Sequence, residues 1–210
     1  MSQEFPTVFI VDDDASVLRS LSRLARQADY EPSTFSSAEE FLDSQTAPPQ
    51  HPACLVLDLG MPGLGGLELQ RKLSDSPMSC PVIFISGNGN IPSTVQAMKQ
   101  GAVTFLSKPF DQKDLLQAIR EALEKHRQLL AAGEQLHAIR GRIEHLTGRE
   151  QEVMAWVITG ALNKQIAAYL KIAEKTVKVH RARVMEKMRA VSVAELVRLC
   201  DTAGFEPAVA

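Results

Sequence analysis

The sequence has few cysteines, no long apolar run and no sign of a leader. No stretch of about 18 apolar residues is present, which excludes an ordinary membrane-spanning helix. The first residues, Met1-Ser2-Gln3-Glu4, lack the basic and then apolar pattern of a secretory signal. We therefore expect a cytoplasmic protein with no membrane partner.

The three cysteines are too few and too scattered for a disulfide framework or a cysteine-rich metal site. Cys54, Cys80 and Cys200 each lie among apolar residues. This setting is typical of small buried side chains in a reducing compartment. Neither an internal repeat nor a low-complexity tract is found.

The net charge of −2 hides an uneven distribution. Residues 1–110 hold 7 Lys and Arg against 12 Asp and Glu, whereas residues 111–210 hold 16 against 13. Within 147–200 the count is 10 basic against 5 acidic residues. A local basic excess is typical of a polyanion partner, although charge alone favours an ordinary solvated face.

The first half alternates short apolar runs with helical patterns. The runs are continuous, as expected of strands covered on both faces, and lie at 8–11, 54–57, 82–85 and 103–106. A weaker strand is expected near 30–35. This alternation predicts a doubly wound α/β fold with a five-stranded parallel sheet. Ligands of such sheets bind at the carboxyl ends of the strands.

After Asp111 the pattern is helical and predicts a long connector, with breaks at Gly133 and Gly141 because glycine destabilises helices. Thr147 and Glu150 have the spacing of a capping box, which indicates a new helical domain. We therefore predict three segments, at 1–124, 125–143 and 144–210.

Carboxylates follow two strands of the predicted sheet. Strand one ends in Asp12-Asp13-Asp14 and the central strand ends in Asp58. Two carboxylates about 4 Å apart repel by roughly 4 kcal/mol at an effective dielectric near 20, so the cluster needs positive charge. Mg²⁺ or Mn²⁺ suits an oxygen-only site, and Lys108 supplies a fixed charge. A carboxylate in this setting can attack a phosphoryl group.

Each of these residues also has an ordinary structural interpretation. The acids could begin a solvated helix, Ser86 could lie in a turn, and Lys108 could be a surface charge. Phe105 alone would be assigned to the core. Their joint placement after four strands favours a functional site.

Residues 7–110 resemble the receiver domain of response regulators, with a flavodoxin-like fold. The resemblance lies in four motifs: Val11-Asp12-Asp13-Asp14, Leu57-Asp58-Leu59-Gly60-Met61-Pro62, Ile85-Ser86-Gly87 and Lys108-Pro109-Phe110. It implies that Asp58 is the phosphoacceptor and that Asp12 and Asp13 form the acidic pair. The implied metal ligands are Asp13, Asp58 and the carbonyl of Gly60.

The same resemblance implies that Lys108 contacts phosphate, that Ser86 and Phe105 are the switch residues, and that a cis peptide precedes Pro109. Two features depart from the receiver pattern. Gly60 replaces a larger residue, and Gly65-Gly66 stands where a polar residue normally precedes the glycine. These glycines put the lifetime of the phosphorylated state in doubt.

The second domain contains a short helix, a tight turn and a basic helix, the pattern of a helix-turn-helix. Asn163 is expected to cap the short helix. On the basic helix, Val177, Val184 and Met188 share one face, and another face carries Lys175, Lys178, Val179, Ala182 and Arg183. The first face is predicted to pack and the second to read DNA.

Residues 146–199 resemble the LuxR-type output domain. The resemblance lies in Leu146-Thr147-Gly148-Arg149-Glu150, Asn163-Lys164-Gln165-Ile166-Ala167 and Thr176-Val177-Lys178-Val179-His180. It implies double-stranded DNA binding through the five residues of the reading face. Ala173 departs from the family's usual Ser, which predicts a cap weaker by about 1 kcal/mol. His180 and Arg181 are expected to be structural.

The whole arrangement resembles the NarL/FixJ class of response regulators. The resemblance implies a sensor histidine kinase as phosphate donor, a homodimer on phosphorylation or DNA binding, RNA polymerase as a further partner, and transcriptional activation without enzymatic turnover. Apolar residues of the last helix, 193–199, are expected to support the dimer.

Two other functions are compatible with parts of the sequence. A phosphatase of the haloacid dehalogenase class would place its nucleophile on strand one, and an output domain that docks on protein would bind independently of salt.

Overall fold

The computed structural model describes residues 5–45, 47–74, 76, 80–87 and 91–209. Contacts divide the chain into two units, Met1–Leu130 and Ala131–Ala210. The first unit contains a β-sheet with helices, and the second is helical. Among the described residues, no helix is long and apolar enough to cross a membrane.

The first unit is built on a five-stranded parallel sheet in the order β2-β1-β3-β4-β5. This confirms the predicted doubly wound fold. The elements in chain order are β1 (Thr7–Val11), α1 (Ala15–Gln27), β2 (Glu31–Phe35), α2 (Ala38–Ser44), β3 (Ala53–Asp58), α3 (Gly66–Ser74), β4 (Val82–Ser86), α4 (Ile91–Lys99) and β5 (Thr104–Ser107).

The strand order reverses between β1 and β3, and this is where such sheets form their ligand crevice. Val11 of β1 pairs with Leu57 of β3. The residues that follow them, Asp12 and Asp58, therefore lie next to each other at the carboxyl edge of the sheet. β3 and β4 are buried along their whole length because helices cover both faces. The run at 103–106 is only half buried, since β5 is an edge strand.

Helix α5 (Gln112–Glu144) continues through Gly133 and Gly141, so the predicted breaks are wrong. A glycine lowers the stability of a helix by only about 1 kcal/mol. The residues around Gly133 and Gly141 are largely good helix formers such as Ala, Leu, Glu and Gln, so the helix continues. In the first unit, Leu115 and Ile119 of this helix are buried against β-sheet residues. In the second unit, Ile139 is buried in the helical core.

The second unit contains α6 (Gly148–Val157), α7 (Asn163–Leu170), α8 (Glu174–Met188) and α9 (Val193–Ala203). The capping box is present as predicted, because the Thr147 side chain accepts from the Glu150 N–H and the Glu150 carboxylate accepts from the Thr147 N–H. The three cysteines are free and buried, as expected.

One expectation for the second unit is wrong. Leu162, and not Asn163, is the N-cap of α7, and Asn163 is its first helical residue. The Leu162 side chain makes no capping hydrogen bond, and the Leu162 N–H donates to Gln165 Oε1 at 2.8 Å. On α9, Leu196 and Cys200 are buried in the core of the unit, whereas Val193, Val197 and Leu199 are only partly buried. A dimer supported by this helix stays a prediction.

Candidate functional site

An ammonium group bridges two buried carboxylates at the carboxyl edge of the sheet. Lys108 Nζ donates to Asp12 Oδ2 at 2.7 Å and to Asp58 Oδ1 at 2.8 Å. Asp12 is 1% exposed and Asp58 is 7% exposed. The sheet therefore brings together three predicted site residues that lie far apart in the sequence.

Backbone hydrogen bonds fix each of these groups. Asp12 Oδ1 accepts from the Asp14 N–H at 2.9 Å, and Asp58 Oδ2 accepts from the Gly60 N–H at 2.6 Å. The Lys108 N–H donates to the Ser86 carbonyl at 2.8 Å, which ties the residue to the end of β4. The peptide between Lys108 and Pro109 is cis, as the resemblance implied. The charged groups of the cluster are thus held in fixed positions, so they can stabilise added charge with little rearrangement.

Lys108 is charged at neutral pH. Partial burial opposes the charged form, but the hydrogen bonds from its ammonium to Asp12 and Asp58 outweigh this effect and raise the pKa of Lys108 above its usual value. One ammonium faces two carboxylates, and Asp13 follows Asp12 directly. Negative charge remains in excess, so the edge can accept a further cation.

The structure separates the three consecutive acids into different roles. Asp12 is buried, whereas Asp13 and Asp14 are exposed. Asp14 is the N-cap of α1, where its Oδ1 accepts from the Ser16 N–H at 2.7 Å. Hydrogen bonds from Ser16 lower the pKa of Asp14. Asp14 therefore caps a helix, and the acidic pair of Asp12 and Asp13 stays a prediction.

The oxygens expected to bind a metal at this edge are of the chemical kind that magnesium and manganese prefer. The expected ligands are the carboxylates of Asp13 and Asp58 with the carbonyl of Gly60, which are all oxygens. Within the described part of the chain, no group of three or more His, Cys, Asp or Glu could hold a metal ion. A set of two carboxylates and one carbonyl suits Mg²⁺, which keeps several waters and accepts phosphate oxygens.

The two expected switch residues lie on neighbouring strands. Ser86 is the last residue of β4, is 4% exposed, and pairs in register with Ser107 of β5. Phe105 is half buried, and its ring stacks on Phe84 with centroids 6.5 Å apart. Ser86 thus lies at the same edge as Asp58, while Phe105 packs against the core.

Two contacts in the loop after β3 were not found from the sequence. A Cβ added at Gly66 would lie 2.6 Å from the Asp58 carbonyl, so only glycine fits there. Glu39 Oε1 accepts from the Leu64 N–H at 3.0 Å and anchors the loop after β3. Both contacts depend on the folded path of that loop, and no local sequence pattern indicates them.

The basic helix α8 has the two faces that were predicted. Val177, Val184 and Met188 are fully buried. The five expected DNA contacts are exposed, namely Lys175, Lys178, Val179, Ala182 and Arg183. Lys178 makes an exposed ion pair with Glu174 at 3.4 Å. The reading face is therefore open to a large polyanion.

The residues expected to be structural on α8 are partly buried. Arg181 donates to Asn163 Oδ1 at 3.0 Å and thereby joins α8 to α7. His180 is half buried, with a buried Nδ1. This placement agrees with a packing role for both residues.

Comparison with known proteins identifies both units. The response regulator receiver domain family matches residues 8–120, and the luxR family of bacterial regulatory proteins matches residues 144–200. The chain is 48% identical to nodulation protein W of Bradyrhizobium diazoefficiens, over 94% of this chain and 86% of that protein. It is 41% identical to the transcriptional regulatory protein FixJ of Rhizobium meliloti, over 96% of this chain and 98% of that protein.

Among solved structures, the response regulator StyR superposes with a TM-score of 0.83 at 46% identity, covering 94% of this chain and 99% of StyR. Full-length FixJ from B. japonicum matches with a TM-score of 0.54 at 37% identity, and the match covers 94% of this chain and 97% of the FixJ chain. These matches extend over both units and leave no place for the phosphatase alternative. The chain belongs to the NarL/FixJ class of two-component response regulators, transcription regulators that join a receiver domain to a luxR-family helix-turn-helix domain.

Proposed function

We propose that Asp58 accepts a phosphoryl group from a phosphohistidine of a sensor histidine kinase and that phosphorylation promotes DNA binding by α8. The observation that carries this proposal is the bridge from Lys108 to Asp12 and Asp58. We assign residues 1–124 to the receiver, 125–143 to a linker and 144–210 to the output domain.

In the proposed transfer, an oxygen of Asp58 attacks phosphorus and forms a P–O bond. The P–N bond breaks, its electron pair returns to the imidazole, and the products are an acyl phosphate and the free kinase histidine. Lys108 leaves Asp58 Oδ1 for a phosphoryl oxygen while Asp12 holds its ammonium in place. The Gly60 N–H keeps the other Asp58 oxygen oriented.

Asp13, Asp58 and the Gly60 carbonyl would hold Mg²⁺ or Mn²⁺. When bound, this ion offsets the negative charge that gathers on the phosphoryl oxygens. Ser86 is proposed to turn its hydroxyl toward the phosphoryl group, and Phe105 is proposed to follow by moving along the half-buried edge strand β5. These two movements would change the surface near α4.

Apolar side chains on α4 support a phosphorylation-dependent homodimer. Ile91, Val95 and Met98 have helical spacing and are 81%, 45% and 44% exposed. A two-fold dimer would pair two recognition helices, which is needed because one helix reads too few base pairs for tight specific binding. We propose the bound dimer as an activator that contacts RNA polymerase.

On DNA, Val179 and Ala182 lie at the centre of the proposed reading face, and their small side chains permit close approach to the major groove. Lys175, Lys178 and Arg183 surround them and are proposed to contact phosphates or base edges. All five side chains are exposed.

The proposal is tested with acetyl phosphate and Mg²⁺ on the full chain, followed by intact mass. Wild type is expected to gain the mass of one phosphoryl group, and Asp58→Asn is expected to gain none. Beryllofluoride with Mg²⁺ should then strengthen binding to promoter DNA in wild type only. Labelling of Asp58→Asn equal to wild type would overturn the assignment of Asp58.

A further inference from the structure

A small pocket lies in the first unit at the edge of the sheet opposite Asp58. It has a volume of about 90 Å³ and is bordered by α3, the start of β4, the turn between α4 and β5, and α5. Pro81 and Val82, at the amino end of β4, line it. The pocket is therefore separate from the carboxylate cluster.

Gln70 of α3 lines this pocket and is only 3% exposed. Its Nε2 donates to the carbonyls of Ala97 and Gln100, at 3.3 and 3.2 Å. These two acceptors fix the orientation of the amide, because the flipped form would place Oε1 against two carbonyl oxygens. Gln70 Oε1 is left buried and without a hydrogen-bond partner.

Gln100, just after α4, lines the same pocket, and its Oε1 is also buried without a partner. Among the described residues only three buried side-chain polar atoms lack a partner, and two of them are these oxygens. Buried acceptors without donors cost stability, so they are rare in folded proteins. Gln70 Oε1 and Gln100 Oε1 therefore offer two acceptors to a group that carries N–H or O–H donors.

We propose that this pocket binds a small neutral molecule through a primary amide. The amide NH₂ donates to Gln70 Oε1 and Gln100 Oε1, and the exposed Lys125 at the pocket donates to the amide carbonyl. An amine or amidine cation fits less well, because no Asp or Glu lines the pocket to compensate its charge. Each hydrogen-bonding group of the ligand thus has a partner.

The size of the pocket limits the ligand. A volume near 90 Å³ corresponds to about three waters at roughly 30 Å³ each, which is enough for an amide group with a few carbons. Leu73 and Leu129 supply apolar surface for those carbons. Ordered water is the rival occupant, and it would satisfy the same oxygens without selecting a ligand.

The test is a ¹H–¹⁵N NMR titration of the full chain with butyramide. 2-Pentanone is the matched control ligand, because a methyl group replaces the NH₂ and removes both donors at constant size. We expect saturable shifts of the Gln70 side-chain amide and the Gly101 backbone amide with butyramide alone. Equal shifts with 2-pentanone would show that the pocket does not recognise the amide donors, and no saturable shift with butyramide would show that it holds only water. Either result would overturn the proposal.

A variant separates this site from general surface binding. Gln100→Met keeps the length of the side chain but removes one acceptor, so butyramide affinity should fall about fivefold. The free variant should also have a higher Tm, since an unpartnered buried oxygen is gone. Gln96→Met, at an exposed position of α4, should match wild type. Unchanged affinity in Gln100→Met would contradict the proposal.

Discussion

Lys108 Nζ lies 2.8 Å from Asp58 Oδ1, and it also holds the buried Asp12 at 2.7 Å. The residue proposed to accept phosphate is therefore already paired with the cation proposed to stabilise the product. Such a site needs little reorganisation when charge moves onto the phosphoryl oxygens.

Lys108→Met should slow phosphorylation strongly. Loss of a preorganised charge donor typically costs about 10²- to 10³-fold in rate, and we expect a loss in this range. Stability should fall by only about 1–2 kcal/mol, because the lysine side chain is 26% exposed and solvent screens part of the interaction. The measurement is the rate of mass gain with acetyl phosphate, and the control is Lys99→Met. A wild-type rate in Lys108→Met would remove Lys108 from the mechanism.

Gly66→Ala should destabilise the first unit and displace Asp58. The new Cβ would lie 2.6 Å from the Asp58 carbonyl and 3.1 Å from the Phe84 ring, so the backbone must shift. We expect a loss of about 1–3 kcal/mol, the usual range for overpacking. The readouts are urea unfolding and the phosphorylation rate.

Gly65→Ala is the matched control for Gly66→Ala. No atom lies within 4 Å of a Cβ added at Gly65, and its φ is not positive. Its stability and phosphorylation rate should therefore remain close to wild type. Equal damage at both positions would show that loop flexibility, and not the close approach to Asp58, is what the glycines provide.

The carboxylate cluster could be predicted from the sequence because the carboxyl ends of parallel strands lie together at one edge of the sheet. Once β1, β3 and β5 were recognised, Asp12, Asp58 and Lys108 had to meet at one edge. The packed and exposed faces of α8 could be predicted for a similar reason. Residues three or four positions apart lie on the same face of a helix, so the spacing of the apolar residues shows which face packs.

Contacts that depend on side-chain conformation could not be predicted in this way. Glu39 reaches Leu64 across 25 residues, and Gln70 reaches the end of α4 across 27 residues or more. The breaks expected at Gly133 and Gly141 failed for a related reason, because local propensity is a weak guide when a helix is extended by good helix formers and packing.

The ion pair between the buried Glu150 and the partly exposed Lys187 should make the second unit sensitive to acid. Lys187 Nζ lies 2.6 Å from Glu150 Oε2, and Glu150 is 2% exposed. The hydrogen bond from Lys187 and those from Thr147 lower the pKa of Glu150 from 4.5 to about 2. Its stabilising effect is thus complete above pH 4.5 and is lost as the pH falls toward 2.

This pH dependence can be followed through the single tryptophan, Trp156, which lies on α6. Urea unfolding of the full chain, monitored by its fluorescence, should give a midpoint that falls between pH 4.5 and 3. Glu150→Gln is the control, because glutamine can still form the capping box but does not titrate. A midpoint that falls equally in the variant would assign the acid sensitivity to other groups.

Ala173→Ser should stabilise the start of α8. Ala173 is the N-cap of this helix in an extended conformation, and its side chain makes no capping hydrogen bond. A serine hydroxyl can accept from an N–H of the first turn, which is worth about 1 kcal/mol. Thermal unfolding followed at Trp156 should show a Tm higher by about 4–8 °C if the unit melts independently. Ala173→Gly should differ from serine by only a few tenths of a kcal/mol, whereas an unchanged Tm in Ala173→Ser would show that the cap is not limiting.

Binding to duplex DNA should weaken steeply with salt, and the slope should depend on the reading face of α8. If Lys178 and Arg183 each contact one phosphate, Lys178→Ala and Arg183→Ala should each reduce the slope of log K against log salt by about 0.9. Ala182→Glu should reduce affinity at every salt concentration, because it places a carboxylate where the groove must approach. Lys99→Ala, an exposed change on α4, should leave the slope unchanged.

Fluorescence anisotropy with a labelled duplex over a range of salt concentrations gives all of these slopes. A slope near zero in wild type would favour an output domain that docks on protein, since contacts with phosphates release counterions and contacts with a neutral protein surface do not.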